Sequence, residues 1–71
     1  MTTKIELETG GTLWKMHVKE GDTVEADQEL FIMEVMKMEV PYEAPVAGTV
    51  VKVHIAEGDP VEEGAVALEI G

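Results

Sequence analysis

The sequence predicts an all-β fold made of two similar halves packed face to face about an approximate two-fold axis. Three observations predict it. Apolar and polar residues alternate, with Trp14, Met16 and Val18 on one side and Lys15 and His17 on the other, which is the period of a half-buried strand. Val, Ile and Thr are enriched and no apolar i, i+3, i+4 series of useful length occurs, so helix content close to zero is expected. The chain also repeats itself at an offset of 37 residues, pairing GTLWKMHVKEGDTVE (11–25) with GTVVKVHIAEGDPVE (48–62). Two copies are too few for a solenoid, which leaves two halves that cover each other's apolar faces.

The elements follow in order. A first strand is expected at 4–7, before the Gly10-Gly11 break. A second, at 12–18, carries Trp14, Met16 and Val18 toward the core. The Gly-Asp turn of KEGDTV leads into a short strand at 23–25, and a longer one is expected at 29–35. A strand at 38–42 and the segment VPYEAPVAG join the halves, with Pro41 and Pro45 suited to edge or connector positions. The second half then repeats the first. Strand 48–55 places Val51, Val53 and Ile55 against Lys52 and His54, EGDPV turns into 60–62, and 66–70 closes the chain, Leu68 and Ile70 matching Phe31 and Met33. Nine positions are identical between the aligned segments: Gly11/Gly48, Thr12/Thr49, Lys15/Lys52, His17/His54, Glu20/Glu57, Gly21/Gly58, Asp22/Asp59, Val24/Val61 and Glu25/Glu62.

A chain of 71 residues, 45% of them hydrophobic, is expected to form one domain over 1–71, near the lower size limit for a single core. Fifteen acidic residues against five basic ones give a net charge of −10, which opposes binding to nucleic acid or anionic lipid; the charge serves solubility or, as the alternative reading, steers the surface toward a basic docking face on a partner enzyme. There is no cysteine, hence no disulfide framework or thiolate metal site, and a cytoplasmic location is expected. The amino terminus lacks the basic start and apolar stretch of a secretory signal, and no apolar run approaches the roughly 18 residues of a membrane span.

The stretch EVMKMEV (34–40) sets Lys37 between Met36 and Met38, where neither an ion pair nor a buried core is served. The strand boundaries put it at a hairpin tip. A two-residue turn there would hold Met36 and Lys37, and its favoured backbone needs positive φ, which residues other than glycine adopt at some cost. No Asn-Gly or Asp-Gly is present, so the side chains themselves are what the tip retains.

Glu34-Val35-Met36-Lys37-Met38 between two similar β halves resembles the attachment site of biotinyl domains, the carrier modules of biotin-dependent carboxylases. LWKMHVKEGD (13–22) and IMEVMKMEVP (32–41) resemble in particular the small free-standing biotin/lipoyl attachment proteins. Val35 stands where the biotinyl pattern usually has alanine. The resemblance implies a flattened barrel or sandwich of two four-stranded antiparallel sheets with pseudo-two-fold symmetry. It implies covalent biotin on Lys37, with Met36 and Met38 recognised by a biotin protein ligase and Glu34 helping to set register. It further implies that the tethered biotin carries carboxyl groups between biotin carboxylase and carboxyltransferase sites. The carrier itself would be no enzyme and a monomer in isolation. Lipoate is the alternative cofactor, although lipoyl domains usually have an acidic residue immediately before the lysine, where Met36 stands. A third reading is an unmodified interaction module of the same fold.

An ordinary lysine amine is almost wholly protonated at neutral pH, and the nearest acids in sequence, Glu34 and Glu39, would favour the charged form. Activation of Lys37 is therefore left to a separate enzyme. Lys4, Lys15, Lys19 and Lys52 read as solvated surface charges. Met33, Met36 and Met38 have the spacing of a soft-metal site, but Met33 aligns with Ile70 and reads as core, so no metal site is expected. His17 and His54 are symmetry-related outward positions rather than a ligand pair, and Trp14 is expected in the core or half-buried in the sandwich.

Overall fold

The computed structural model describes residues 2–71. All eight expected strands are present: β1 (Thr3–Glu6), β2 (Gly11–Met16), β3 (Thr23–Val24), β4 (Glu29–Val35), β5 (Met38–Glu43), β6 (Gly48–Val53), β7 (Pro60–Val61) and β8 (Val66–Ile70). They form two antiparallel four-stranded sheets in the orders β1-β8-β6-β3 and β5-β4-β2-β7. The 37-residue offset maps β1 on β5, β8 on β4, β6 on β2 and β3 on β7, so each sheet is the image of the other. Pro41 and Pro60 lie in the edge strands β5 and β7, where a missing N–H removes no ladder bond. The domain measures 31 × 18 × 17 Å.

Between the sheets lies one core of Leu7, Leu13, Val18, Val24, Leu30, Phe31, Met33, Val50, Leu68 and Ile70 with smaller neighbours, and no polar side chain is buried among the described residues. Met33 and Ile70 are both core, as the repeat predicts. Phe31 stacks on Tyr42 of the adjacent strand at 4.8 Å and 12°, and the Tyr42 hydroxyl accepts a hydrogen bond from the Glu8 amide at 3.0 Å.

Strand parity differs from the sequence reading in one instructive way. Opposite β4, Leu13 pairs with Met33 but Lys15 pairs with Ile32, so Trp14 is an extra residue. Its counterpart Val51 is extra opposite β8, where Val50 pairs with Ile70 and Lys52 with Glu69. These bulges shift the inward residue back by one. Leu13 and Val50 are fully buried, whereas Trp14 is 43% and Val51 46% exposed. The expectation that Trp14 lies in the core or half-buried within the sandwich is corrected: Trp14 is exposed on the outer surface, with the Lys15 ammonium 5.8 Å from its ring. The regular ladder also ends at Met16 and Val53, short of the expected 18 and 55. A second pair of bulges in β4 and β8 places Leu30 beside Phe31 and Ala67 beside Leu68, all fully buried.

The repeated Glu-Gly-Asp segments are more than turns. Each clasps the opposite half. The Glu57 carboxylate accepts from the Met16 amide at 2.9 Å, and the Glu20 carboxylate from the Val53 amide at 3.0 Å. The Gly58 amide donates to the Leu13 carbonyl and the Gly21 amide to the Val50 carbonyl, both at 2.7 Å. Asp22 and Asp59 close their own loops by accepting from the Lys19 and Ala56 amides. Gly21 and Gly58 have φ of 95° and 89°, conformations that glycine adopts without a Cβ penalty. Backbone groups freed where the ladders end are thus satisfied across the interface.

One polar cluster breaks the symmetry. Glu69 accepts from the Thr2 hydroxyl at 3.0 Å and contacts His54 Nε2 at 2.7 Å. The hydrogen bond with His54, then that from Thr2, holds the Glu69 carboxyl below its ordinary value of 4.5. A carboxyl lowered by folding stabilises the fold well above its unfolded value, and that contribution is lost as pH falls through the lowered folded value. Thermal unfolding of the Glu69→Gln protein is expected to show a deficit relative to the parent at neutral pH that shrinks below pH 4.5. A deficit independent of pH would contradict this assignment.

Candidate functional site

Strands β4 and β5 form a hairpin in which Val35 pairs with Met38, leaving Met36 and Lys37 as its two turn residues. Their φ values are 52° and 68°, positive at both central positions as a type I′ turn requires. Such turns favour Asn-Gly, and a left-handed conformation costs an ordinary residue roughly 1–2 kcal/mol. The chain therefore holds two unsuited residues at its sharpest reversal. What overrides the preference is the hairpin below. Met33 is fully buried, Val35 and Val40 pack against the core, and the register is continuous from Phe31–Tyr42 to Val35–Met38.

All four residues singled out from sequence meet at this apex. Lys37 is exposed, Met36 is 90% and Met38 67% exposed, and Glu34 is exposed on the strand leading to the turn. Among the described residues the two histidine–carboxylate contacts, both at 2.7 Å, join His17 to Glu29 and His54 to Glu69, and Lys37 makes no contact with a carboxylate at salt-bridge distance. Met33 is buried and is not available to join Met36 and Met38 at the tip. The apex thus displays one amine between two thioethers, surfaces that adapt to more than one partner.

Two features of this apex escaped the sequence reading. Gly11 looked like a strand breaker, but a Cβ there would stand 2.5 Å from the Glu34 carbonyl oxygen and 3.0 Å from a Val35 methyl. Only a bare backbone lets β2 approach the hairpin base so closely. Gly11→Ala is expected to lower unfolding stability by about 1–3 kcal/mol, read as a fall in the chemical-denaturation midpoint. Unchanged stability would show that the contact relaxes freely. The second feature is that Glu34 faces Glu39 directly across the hairpin, both exposed. Like charges so placed destabilise a strand pair. The repeat carried a signal for Gly11, because Gly48 contacts Ile70 and Gly71 in the same way.

Fold and apex define the class: a doubled β-sandwich carrier domain whose distinctive feature is a displayed side chain. The family model described as "Biotin-requiring enzyme", the biotin/lipoyl domain, matches residues 2–70. The chain belongs to this biotin/lipoyl attachment family, a family of carrier rather than catalytic domains. It is 48% identical over 70 residues to the "Biotin/lipoyl attachment protein" of Bacillus subtilis, covering 99% of this chain and 93% of that protein. Over 45 residues it is 42% identical to the "Putative urea carboxylase" of Emericella nidulans, covering 63% of this chain and 4% of that protein. Among solved structures, Kluyveromyces lactis urea carboxylase matches with a TM-score of 0.92 and 34% identity, over 100% of this chain and 6% of that one. A single-chain, multi-domain long-chain acyl-CoA carboxylase matches with a TM-score of 0.90 and 28% identity, over 96% of this chain and 7% of that one. The chain spans only a small fraction of each of the three carboxylases.

Proposed function

We propose that the chain is a biotin carboxyl carrier whose Lys37 is joined to biotin by a biotin protein ligase. The observation that carries this reading is a lysine amine at a two-residue hairpin apex, exposed, without an ion-pair partner and flanked by two exposed methionines. An amine so placed has room for an acyl group and for the enzyme that attaches it, so the residues present fit a covalent cofactor. Amide formation needs the ammonium to lose a proton, and the ligase provides for that loss. Biotin, once bound, supplies the nitrogen that accepts and surrenders a carboxyl group.

The domain's own contribution is positional. Its rigid hairpin holds the attachment point clear of the body, and tethering raises the effective concentration of the cofactor at each site it visits. The relatives that are carboxylases support biotin over lipoate, and they support biotin carboxylase and carboxyltransferase domains or subunits as further partners. A monomeric, cytoplasmic carrier is part of the same proposal.

Incubation with biotin, ATP and a biotin protein ligase is the test, read by intact mass. Addition of one biotinyl group supports the reading. No addition under conditions in which an established acceptor is modified would sink it, and a lipoyl adduct formed in preference by a lipoate ligase would replace biotin with the alternative cofactor. Met36→Asp is expected to reduce the rate of biotinylation at least several-fold without loss of fold, because an acid replaces a thioether in the recognised triplet. An unchanged rate would remove Met36 from the recognised set.

A further inference from the structure

The pseudo-two-fold axis supplies an internal comparison between the outer faces of the two sheets. On the hairpin sheet, Lys15 pairs with Ile32 and Ile32 with Pro41, with Trp14 bulged beside Lys15. Across three strands this row presents Trp14 at 43% exposure, a half-buried Ile32 and an exposed Pro41. The counterpart row on the other sheet pairs Lys52 with Glu69 and Glu69 with Lys4, beside Val51. The same three positions are therefore Trp, Ile and Pro on the sheet that bears Lys37, and Val, Glu and Lys on the sheet that does not. The cluster of Glu69 with His54 and Thr2 gives the second row a scaffold role of its own, but that role does not require exposed Trp, Ile and Pro at the three positions of the first. Acids rim the apolar row: Glu34 and Glu39 lie opposite each other toward the apex, and Glu43 lies further along β5.

We propose that Trp14, Ile32 and Pro41 form the docking surface for the enzyme that acylates Lys37, which would present an apolar contact ringed by Lys or Arg. The proposal rests on the carrier reading given above and names where that partner sits. Area argues for a face rather than the apex alone. A standard protein contact covers about 800 Å2 on each partner, far more than the two turn residues of the apex offer. An enzyme reaching Lys37 must then also cover a side of the domain, and the outer face of β4 and β5 is continuous with the apex. Ile32 lies three residues from Val35, roughly 10 Å along the strand.

The occupant is the acylating enzyme rather than a later partner because the reacting atom, before modification, is the lysine nitrogen itself, within one side-chain length of the turn. A partner that meets only the end of a long biotinyl arm has no such need to approach. Charge gives the second argument. The facing Glu34 and Glu39 disfavour the free hairpin and complement cationic groups brought by a partner.

The test exchanges each residue for its own two-fold counterpart, which the fold already accommodates at the equivalent position: Trp14→Val, Ile32→Glu and Pro41→Lys. With a biotin protein ligase at limiting carrier, the triple variant is expected to lose at least tenfold in kcat/KM through a raised KM, with kcat at saturating carrier little changed. Higher ionic strength should raise KM for the parent. The single Trp14→Val protein should lose several-fold, which keeps the test decisive if the triple variant folds poorly, and Val51→Ala on the other sheet should behave as the parent. Parent-like KM in folded variants would overturn the proposal, as would a loss confined to kcat. Acylation at the parent rate combined with weakened carboxylation of the biotinylated protein would assign the face to a carboxylase instead and overturn it too. Failure of the parent itself to be acylated would overturn the carrier reading first and this proposal with it.

Discussion

Lys37→Arg is expected to yield a folded protein that gains no biotin, by intact mass and by streptavidin blotting. The substitution keeps a long, positively charged side chain at an exposed position, and such surface exchanges usually shift stability by no more than about 0.5 kcal/mol. The guanidinium, however, is permanently protonated and delocalised, so it offers no free amine for acylation. The other lysines do not substitute for Lys37. Lys4, Lys15 and Lys52 lie within β1, β2 and β6, and Lys19 donates its amide to Asp22 within the Glu-Gly-Asp loop. None stands at a two-residue apex. The expected result is therefore complete loss of the adduct with a circular dichroism spectrum like the parent's. Biotin uptake by the Arg protein would place the site elsewhere and remove the basis of the function proposed here.

Much of this was legible in the amino-acid sequence because the repeat reports tertiary structure directly. A residue and its copy 37 positions on occupy equivalent places, so the alignment of Met33 with Ile70 identifies both as core without any periodicity argument. The hairpin was legible because the strand ending at Val35 and the one starting at Met38 leave only two residues between them. Period-2 alternation misplaced Trp14, and the reason is physical. Alternation tracks side-chain direction only while the ladder is regular, and an extra residue at position 14 reverses it from that point. Leu13, next to Trp14 and equally apolar, gave no local sign of which of the two turns inward. The Glu-Gly-Asp identities were read as turn chemistry, which explains Gly21, Asp22 and their copies but not Glu20 and Glu57. Those acids are repeated because each completes the opposite half's ladder, a role that no reading confined to one half contains.

The apex joins the two lines of argument, since its two residues serve function against local preference. Replacing both, as Met36→Asn with Lys37→Gly, installs the pair that a type I′ turn favours. Relief of two left-handed residues at roughly 1–2 kcal/mol each, less about 1 kcal/mol for the added freedom of glycine in the unfolded chain, leaves a net gain of about 1–3 kcal/mol. For a domain of this size each kcal/mol corresponds to a melting temperature about 4–8 °C higher. The double variant is thus expected to melt well above the parent while accepting no biotin, and Met36→Asn alone should be partly stabilised yet a slower acceptor. A melting point at or below the parent's would show that the hairpin holds Met36 and Lys37 without strain. A rise would show that this small domain is less stable than its fold allows because the lysine and its neighbouring thioether must occupy the sharpest point of the chain. The alternative of moving the lysine onto a strand, where its conformation would be relaxed, would set the amine against a sheet face and put the body of the domain in the way of any enzyme approaching it.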